Sequence, residues 1–281
     1  MICIKDLSFR YSKSLKPALY DINAEISDGI QLLAGPNGSG KSTLLKCISG
    51  LLIPQSGSVT VDGRPASSTL PSHKCRMFMC DDNLRLTETT ILKFADVHSV
   101  FYPDFSMDSL MSNLEAFGLT GNETLRNLSL GNRKKCILAY ALSLNVKTLL
   151  LDEPTNGLDI ESKDTLRRIL AEASDENRTI IISTHNVGEF KNLYDGLIAI
   201  SKGNVILSAS ADKIYDILNF EVSHLKNPDA LYSELSINGY ISVTESSEES
   251  LSEIDWEILY KALMSKNGAK ISSLFKKSHS I

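Results

Sequence analysis

The sequence has no long apolar run, few cysteines and no excess of positive charge. No stretch approaches the roughly 18 apolar residues that a membrane-spanning helix needs, since the longest apolar stretches have the length of strands. The five cysteines, at positions 3, 47, 75, 80 and 136, form no Cys-x-x-Cys pair, which predicts unpaired thiols in a reducing cytosol. The net charge is −5 and the basic residues are scattered, so no footprint for nucleic acid is present. We therefore predict a cytoplasmic globular protein without a nucleic-acid partner.

The remaining bulk properties are those of an ordinary folded chain. Its 281 residues are enough for one large domain, or for one domain and a smaller companion. The hydrophobic fraction is 42% and the charged fraction 22%, as in a typical globular protein. The start of the chain, Met1 to Asp6, alternates like an edge strand and lacks the apolar core of a secretion signal.

The most informative stretch is a glycine-rich loop, Gly35-Pro36-Asn37-Gly38-Ser39-Gly40-Lys41-Ser42-Thr43. It follows an apolar strand pattern and precedes a helical one, which is the context that a phosphate-binding loop requires. The glycines let successive backbone N–H groups point into one concavity, to which the helix N-terminus adds its positive end. Lys41 is predicted to reach the β- and γ-phosphates, and the Ser42 hydroxyl to bind Mg²⁺. The loop therefore predicts binding of a nucleoside triphosphate with Mg²⁺.

A second chemical signal is an apolar run that ends in two carboxylates, Asp152 and Glu153. Such a run is typical of a buried central strand, and the carboxyl ends of these strands face the ligand crevice in open α/β sheets. We predict that Asp152 binds Mg²⁺ and that Glu153 accepts a proton from an attacking water.

Four further residues, at three places in the chain, carry weaker signals, and each place has a plain structural alternative. Ser129 and Gly131 precede a helix and leave room for an anion, although such a pair is often only a helix cap. His185 at a strand tip can donate to a γ-phosphate or can be an ordinary core donor. Tyr11 near the end of the first strand can stack on a base, or be a half-buried strand residue.

Taken together, residues 1–218 resemble the nucleotide-binding subunit of an ATP-binding cassette (ABC) transporter. Gly35 to Thr43 is similar to the Walker A motif, and Leu149 to Glu153 to the Walker B motif with its catalytic Glu. Leu128 to Asn132 resembles the signature, Gly157 to Asp159 the D-loop, His185 the switch His and Tyr11 the base-stacking aromatic. The resemblance implies an α/β P-loop NTPase fold with a mixed sheet core, an antiparallel β subdomain and a helical subdomain at about 86–145. A small C-terminal α/β extension is expected at 219–281.

The sequence departs from the family pattern at three places. Leu130 and Asn132 stand where the signature usually has Gly and Gln. No Gln follows the strand that ends near Cys80, where the family has its Q-loop; Asp81 or Asp82 is the nearest counterpart. A carboxylate there can hold Mg²⁺ or its waters but cannot donate a hydrogen bond, so the departure concerns the tuning of hydrolysis.

The resemblance also implies a mechanism. Two ATPase subunits, identical or different, are expected to bind head to tail and to trap two ATP molecules. Ser129, Gly131 and Asp159 of one chain would complete the site that is built on Lys41 of the other. Within each site Ser42, Asp152 and Asp81 would serve Mg²⁺, Glu153 would activate water, and His185 would steady the γ-phosphate. ATP hydrolysis would power transport through a polytopic membrane subunit, which docks on the helical subdomain at the inner face of the cell membrane.

Residues 101–119 are similar to bacterial exporter-type ATPases of the drug, bacteriocin and stress-resistance group, which favours export. One alternative is a soluble ABC ATPase that acts on other assemblies, although the spacing of Lys41 and Ser129 leaves no room for a long coiled-coil insertion. Another is a nucleotide-responsive module that barely hydrolyses ATP, which the missing Gln favours.

The extension carries no catalytic constellation. Its pattern predicts helices at 228–235 and 255–264 and strands at 239–244 and 270–275. Trp256, Leu259 and Leu263 are predicted to be core residues.

Overall fold

A computed structural model of the chain describes residues 1–81, 89–175, 177–190, 192–246 and 252–277. The strands are, in chain order, β1 (Ile2–Phe9), β2 (Leu19–Ile26), β3 (Gly29–Ala34), β4 (Ser56–Val61), β5 (Arg64–Pro65), β6 (Met77–Cys80), β7 (Thr148–Asp152), β8 (Thr179–Thr184), β9 (Gly196–Ser201), β10 (Asn204–Ser210), β11 (Leu218–Ser223), β12 (Tyr232–Ser236) and β13 (Gly239–Glu245). The helices are α1 (Lys41–Ile48), α2 (Pro71–Lys74), α3 (Ile91–His98), α4 (Met107–Ala116), α5 (Leu130–Ser143), α6 (Ile160–Ala173), α7 (Ala211–Ile217), α8 (Trp256–Met264) and α9 (Gly268–Lys277). Short 3₁₀ helices lie at Ser99–Phe101, Leu125–Asn127 and Val187–Phe190.

The central sheet has the strand order β10-β9-β3-β8-β7-β6. All neighbours are parallel except β10, which pairs antiparallel with β9. Every residue of β7 and β8 is buried, as expected for strands that are covered on both faces. Because β3, β7 and β8 run in the same direction, their carboxyl ends lie along one edge of the sheet. The phosphate loop follows β3, the two carboxylates lie at the end of β7, and His185 follows β8.

A second sheet, with the strand order β2-β1-β4-β5, is antiparallel and includes the first two strands of the chain. Its core face includes Ile2, Ile4, Leu19 and Ile22, which pack with α1 residues in one apolar cluster. Full burial of each such side chain contributes about 1.5–3 kcal/mol. This cluster fixes α1, and with it the start of the helix that follows the phosphate loop.

Helices α3, α4 and α5 form the helical segment between β6 and β7. Its anchor is Tyr140 of α5, which is 2% exposed and lies edge-on to Phe94 and Phe78, with centroid distances of 5.2 and 6.0 Å. The predicted α/β class, with a mixed sheet, an antiparallel sheet and a helical segment, is confirmed. Among the described residues, no helix combines the length and the apolar composition needed to cross a bilayer.

The C-terminal segment forms a three-stranded antiparallel sheet, β11-β13-β12, followed by α8 and α9. The predictions of a strand at 239–244 and of a helix at 255–264 are confirmed. The predicted helix at 228–235 is wrong, because β12 pairs with β13 through a tight hairpin in which Ser236 lies opposite Gly239. The predicted strand at 270–275 is also wrong, since these residues belong to α9.

The five cysteines carry free thiols. Burial raises the pKa of Cys47 and of Cys136 to about 12, so both thiols are protonated at neutral pH.

Candidate functional site

The glycine-rich loop joins β3 to α1 through backbone conformations that side chains disfavour. Gly38 has φ +75° and Gly40 has φ +111°, in the region where a Cβ clashes. A Cβ on Gly35 would lie 2.4 Å from the carbonyl oxygen of Ile200. Glycine at these positions therefore allows the tight loop that precedes the first turn of α1.

Lys41 opens α1 and is only 6% exposed. Its Nζ donates to the Gly35 carbonyl at 2.8 Å, which curls the side chain back over the loop. The same Nζ lies 3.2 Å from Oε1 of Glu153. The loop and the acidic tip of β7 are thus joined by a buried ion pair.

Glu153 is the centre of this cluster. Its Oε2 lies 2.9 Å from Nδ1 of His185, at the tip of β8. Its backbone has φ +47°, a left-handed conformation that costs a residue with a Cβ about 1–2 kcal/mol. Backbone contacts hold it there: its N–H donates to the Ser183 carbonyl at 3.0 Å, and its carbonyl accepts from Lys134 Nζ at 2.9 Å. The structure therefore brings Lys41, Glu153 and His185 together.

Asp152 ends β7 and is 5% exposed. Its Oδ1 accepts a hydrogen bond from the Ser183 hydroxyl at 2.5 Å. Ser42 is exposed in the first turn of α1, which packs on β7. A hydroxyl and a carboxylate at one edge of the sheet are hard oxygen donors of the kind that Mg²⁺ takes together with waters and phosphate oxygens.

Two buried polar atoms of the site, Ser39 Oγ and Glu153 Oε1, have the chemistry to bind a phosphate group and an attacking water. Ser39 Oγ has no hydrogen-bond partner among the described residues, nor has Glu153 Oε1, whose 3.2 Å contact with Lys41 has ion-pair rather than hydrogen-bond geometry. Buried oxygens of this kind are normally satisfied. The chemistry of the residues present therefore suits a nucleoside triphosphate with Mg²⁺.

The residues of the predicted signature cap α5 rather than contact their own phosphate loop. Ser129 is the N-cap, and its Oγ accepts from the Asn132 N–H at 3.2 Å. A Cβ on Gly131 would lie 2.9 Å from the Gly157 carbonyl oxygen, so α5 begins directly beside the 157–159 loop. None of the hydrogen bonds described for Ser129 reaches residues 35–43 of the same chain.

Asp159 caps the next helix and links it to α5. Its side chain accepts from the Ser162 N–H at 2.8 Å and from the Ser162 hydroxyl, which lowers the pKa of Asp159 to about 2. Lys135 of α5 lies 3.3 Å from its Oδ2. Leu130 and Ile160, the first residues of α5 and α6, are each 80% exposed. This surface combines two helix N-termini with two exposed apolar side chains.

Tyr11 lies beyond the end of β1 and is 43% exposed. Its hydroxyl is 3.2 Å from Thr43 Oγ1, at the start of α1, and its ring meets Phe9 edge-on at 4.9 Å. A partly exposed aromatic ring therefore lies next to the start of α1.

Asp81 follows β6 and forms an ion pair with Lys46 of α1, at 3.0 Å between Nζ and Oδ2. The hydrogen bond from Lys46 to Asp81 raises the pKa of Lys46. The alternative position, Asp82, lies outside the described residues. Asp81 thus has a cation beside it that the sequence pattern gave no reason to expect.

Sequence reasoning missed two lysines at this site, Lys46 and Lys134. Both act on groups far away in the chain, Asp81 and the Glu153 carbonyl. Their only sequence signal is a cation on a helix next to a motif, and most such cations lie on solvated faces.

Comparisons with known proteins place this site in context. A family model described as ABC transporter matches residues 19–156. A putative ABC transporter ATP-binding protein of Caldanaerobacter subterraneus subsp. tengcongensis is 32% identical over 238 residues, covering 79% of this chain and 96% of that protein. A protein of the same description from Pyrococcus furiosus is 32% identical, over 73% of this chain and 82% of its own length. The energy-coupling factor transporter ATP-binding protein EcfA of Methanothermobacter thermautotrophicus is 30% identical, over 76% of this chain and 72% of that protein.

Not all relatives have the same length. The chain spans only 40% and 43% of two putative ABC transporter ATP-binding proteins, from Methanosarcina acetivorans and Methanosarcina mazei, to which it is 32% identical. Among solved structures, a dimeric post-hydrolysis state of the ATP-binding cassette MJ0796 bound to ADP and Pi has a TM-score of 0.64 and 22% identity, covering 75% of this chain and 98% of that chain. The structure of cbiO1 from Clostridium perfringens, part of a transporter complex, has a TM-score of 0.59 and 25% identity, covering 76% of this chain and 90% of that chain.

Proposed function

Since this chain belongs to the ABC transporter family of ATP-binding proteins, we propose that it hydrolyses ATP and powers transport through a separate membrane subunit. The observation that carries the proposal is the cluster of Lys41, Glu153 and His185 beside the glycine loop. It unites a phosphate-binding cation, a general base and a residue that orients the base.

The contacts of the nucleotide-free chain suggest how the cluster works. Lys41 is held by the Gly35 carbonyl and by Glu153, and a triphosphate in the loop offers it a stronger partner, because charge-assisted hydrogen bonds to phosphate are the strong ones. Glu153 then loses its cation and is free to accept a proton from the attacking water. His185 keeps hold of Oε2 and so orients the carboxylate. Ser42 and Asp152 would hold Mg²⁺, which would supply positive charge to neutralise the phosphates.

We further propose that the site is completed by a second copy of this chain. Ser129 and Gly131 lie at the N-terminus of a 14-residue helix, a location that favours an anion. Their own phosphate loop does not use them. Asp159 and the exposed Leu130 and Ile160 lie on the same surface, and burial of such apolar side chains favours association. A head-to-tail dimer would place this surface over the partner's nucleotide.

The membrane partner is proposed to dock on the helical subdomain, at about residues 86–145. Val97, Val100 and Phe101 are 63%, 74% and 66% exposed there, and contiguous exposed apolar side chains are typical of interaction sites. The ATP-binding domain is then residues 1–218, and residues 219–281 are a separate extension. Such docking would hold the protein at the inner face of the cell membrane. We propose export as the direction, on the similarity of residues 101–119 to exporter-type ATPases.

A second candidate, a nucleotide-responsive module with slow hydrolysis, is favoured by one observation. The residue at the Q-loop position is an acid in an ion pair with Lys46, whereas the family has a neutral amide there.

Phosphate release by the purified chain separates the two candidates. We expect the wild type to release phosphate from MgATP at about 1–10 s⁻¹, an ordinary enzyme rate, and Asp81→Gln to stay within about tenfold of it. The expectation follows from the ion pair between Asp81 and Lys46 of α1, because a neutral amide at position 81 can still accept a hydrogen bond from Lys46. Loss of turnover on adding a chelator is the control for Mg²⁺. A wild type without turnover that Asp81→Gln activates would instead establish the module.

A further inference from the structure

The C-terminal extension contacts the segment that follows His185. Helix α8 packs on the 3₁₀ helix Val187–Phe190, which begins two residues after His185. Trp256 at the start of α8 is 5% exposed, and its ring meets Tyr194 edge-on at 5.7 Å. Tyr194 in turn meets Phe190 at 6.4 Å. A buried row of three rings therefore joins the extension to this 3₁₀ helix.

A polar contact lies beside the aromatic one. A Cβ on Gly188 would be 3.4 Å from Oε2 of Glu257, so the second residue of α8 lies directly over the 3₁₀ helix. Glu257 is held there by Lys261, one turn later in α8, at 3.0 Å. Asp255 caps the helix by accepting from the N–H groups of residues 257 and 258.

The 3₁₀ helix also contacts the loop that follows β7. Glu189 accepts from the Thr155 hydroxyl, two residues beyond Glu153. It also pairs with Lys163 of α6, at 2.6 Å. The 3₁₀ helix thus contacts both α8 and the loop after β7.

We propose that α8 positions His185 against Glu153, with Trp256 as the positioning residue. His185 is 48% exposed and its described partner is the Glu153 carboxylate, so its location depends on the backbone on either side. The N-terminal side belongs to the buried strand β8. The C-terminal side runs into the 3₁₀ helix, whose apolar residues Val187 and Phe190 are 3% and 0% exposed. If α8 is lost from that surface, these side chains meet water and the segment is free to shift.

The proposal rests on the proposed function and gives the extension a role in it. None of the site residues named above belongs to the described part of the extension, yet the extension sets the geometry of the residue that orients the general base. Small displacements of a catalytic group matter, because a shift of about 1 Å can lower a rate about 100-fold.

A pair of matched variants tests the proposal in the full-length chain. Trp256→Ala and Phe275→Ala each remove a buried aromatic of the extension, 5% and 4% exposed. Phe275 lies in α9, which packs on α8 and β10, whereas Trp256 lies in α8, the helix that packs on the 3₁₀ helix. We expect Trp256→Ala to lower kcat about 10- to 100-fold with the KM for ATP nearly unchanged, because the phosphate loop is untouched. Phe275→Ala should keep kcat within about twofold. Equal loss of kcat in both variants would overturn the proposal.

A second readout does not depend on turnover. The imidazole resonances of His185, assigned with His185→Asn, should shift in nucleotide-free Trp256→Ala and stay in place in Phe275→Ala. Trp256→Leu retains an apolar side chain and so protects the fold; it should show an intermediate resonance shift and an intermediate decrease in kcat. Trp256→Phe should restore the wild-type resonance positions and the wild-type kcat. Unchanged His185 resonances in Trp256→Leu would contradict the positioning role of Trp256, even if the wild type had no ATPase activity. If the resonances shift but the wild type does not hydrolyse ATP, the positioning role is supported and the proposed ATPase function is refuted.

Discussion

Replacing Glu153 by Gln is expected to lower kcat for ATP hydrolysis by about 10²–10⁴-fold, the usual contribution of a general base. The amide has the shape of the carboxylate but cannot accept the proton of the attacking water. The backbone of residue 153 should stay in place, because Ser183 and Lys134 hold its N–H and carbonyl rather than its side chain. ATP affinity should therefore survive, since the phosphate loop and Lys41 are unchanged. Phosphate release measures the loss of kcat, and nucleotide binding to the same preparation measures whether the ATP affinity is unchanged.

Glu172→Gln is the matched control, because Glu172 is an exposed carboxylate of α6 whose partner among the described ion pairs is Arg168. It should behave as the wild type in both assays. Turnover by Glu153→Gln at the wild-type rate would refute the assignment of Glu153 as the base.

Replacing Lys41 by Ala is expected to weaken MgATP binding about 10- to 150-fold. The lost contact is a hydrogen bond from a buried cation to phosphate, worth about 1.5–3 kcal/mol, and each 1.4 kcal/mol is about tenfold in affinity. Phosphate release should fall as well, since the γ-phosphate loses the group that positions it. Titration of a fluorescent ATP analogue measures the affinity directly.

Lys147→Ala controls for the loss of a lysine near the same strand. Lys147 precedes β7 at the opposite edge of the sheet and pairs with Asp62 at 2.9 Å. Its removal should leave nucleotide affinity within about twofold of the wild type. Wild-type affinity in Lys41→Ala would mean that the glycine loop is not the phosphate site.

Where local pattern and tertiary packing agree, the sequence was sufficient. The apolar run before Asp152 predicted a buried strand with an acidic tip, and the structure has β7 there. His185 was predicted at the tip of another strand, and it follows β8. The glycine spacing likewise predicted the strand, loop and helix around Lys41. These features depend on residues that are close together in the chain.

The extension shows where this reasoning failed. Ile271 and Phe275 are 0% and 4% exposed, and their separation of four residues is the helical spacing that the strand prediction overlooked. The helix prediction at 228–235 gave too little weight to Asn238-Gly239, a hairpin signal that closes β12 against β13. Both signals were present in the sequence, but each was weaker than the pattern that competed with it.

The polar contacts of the site could not be predicted at all. Lys134 reaches the carbonyl of a residue that is 19 positions later, and Lys46 reaches Asp81. The left-handed backbone of Glu153 has no sequence signature either, because glycine is the residue that normally marks it. Such features follow only from the tertiary arrangement of β6, β7, α1 and α5.

The central claim is that the phosphate loop is half of a site, which Ser129 and Gly131 of a second copy complete. Sedimentation of Glu153→Gln with and without MgATP tests it most directly, because a variant that binds ATP but cannot hydrolyse it should hold the closed state. The account predicts a dimer in MgATP, a monomer in MgADP, and a monomer in both when Ser129→Arg is added, although that double variant still binds ATP through its own loop. A Glu153→Gln chain that is saturated with MgATP and remains a monomer would contradict the account.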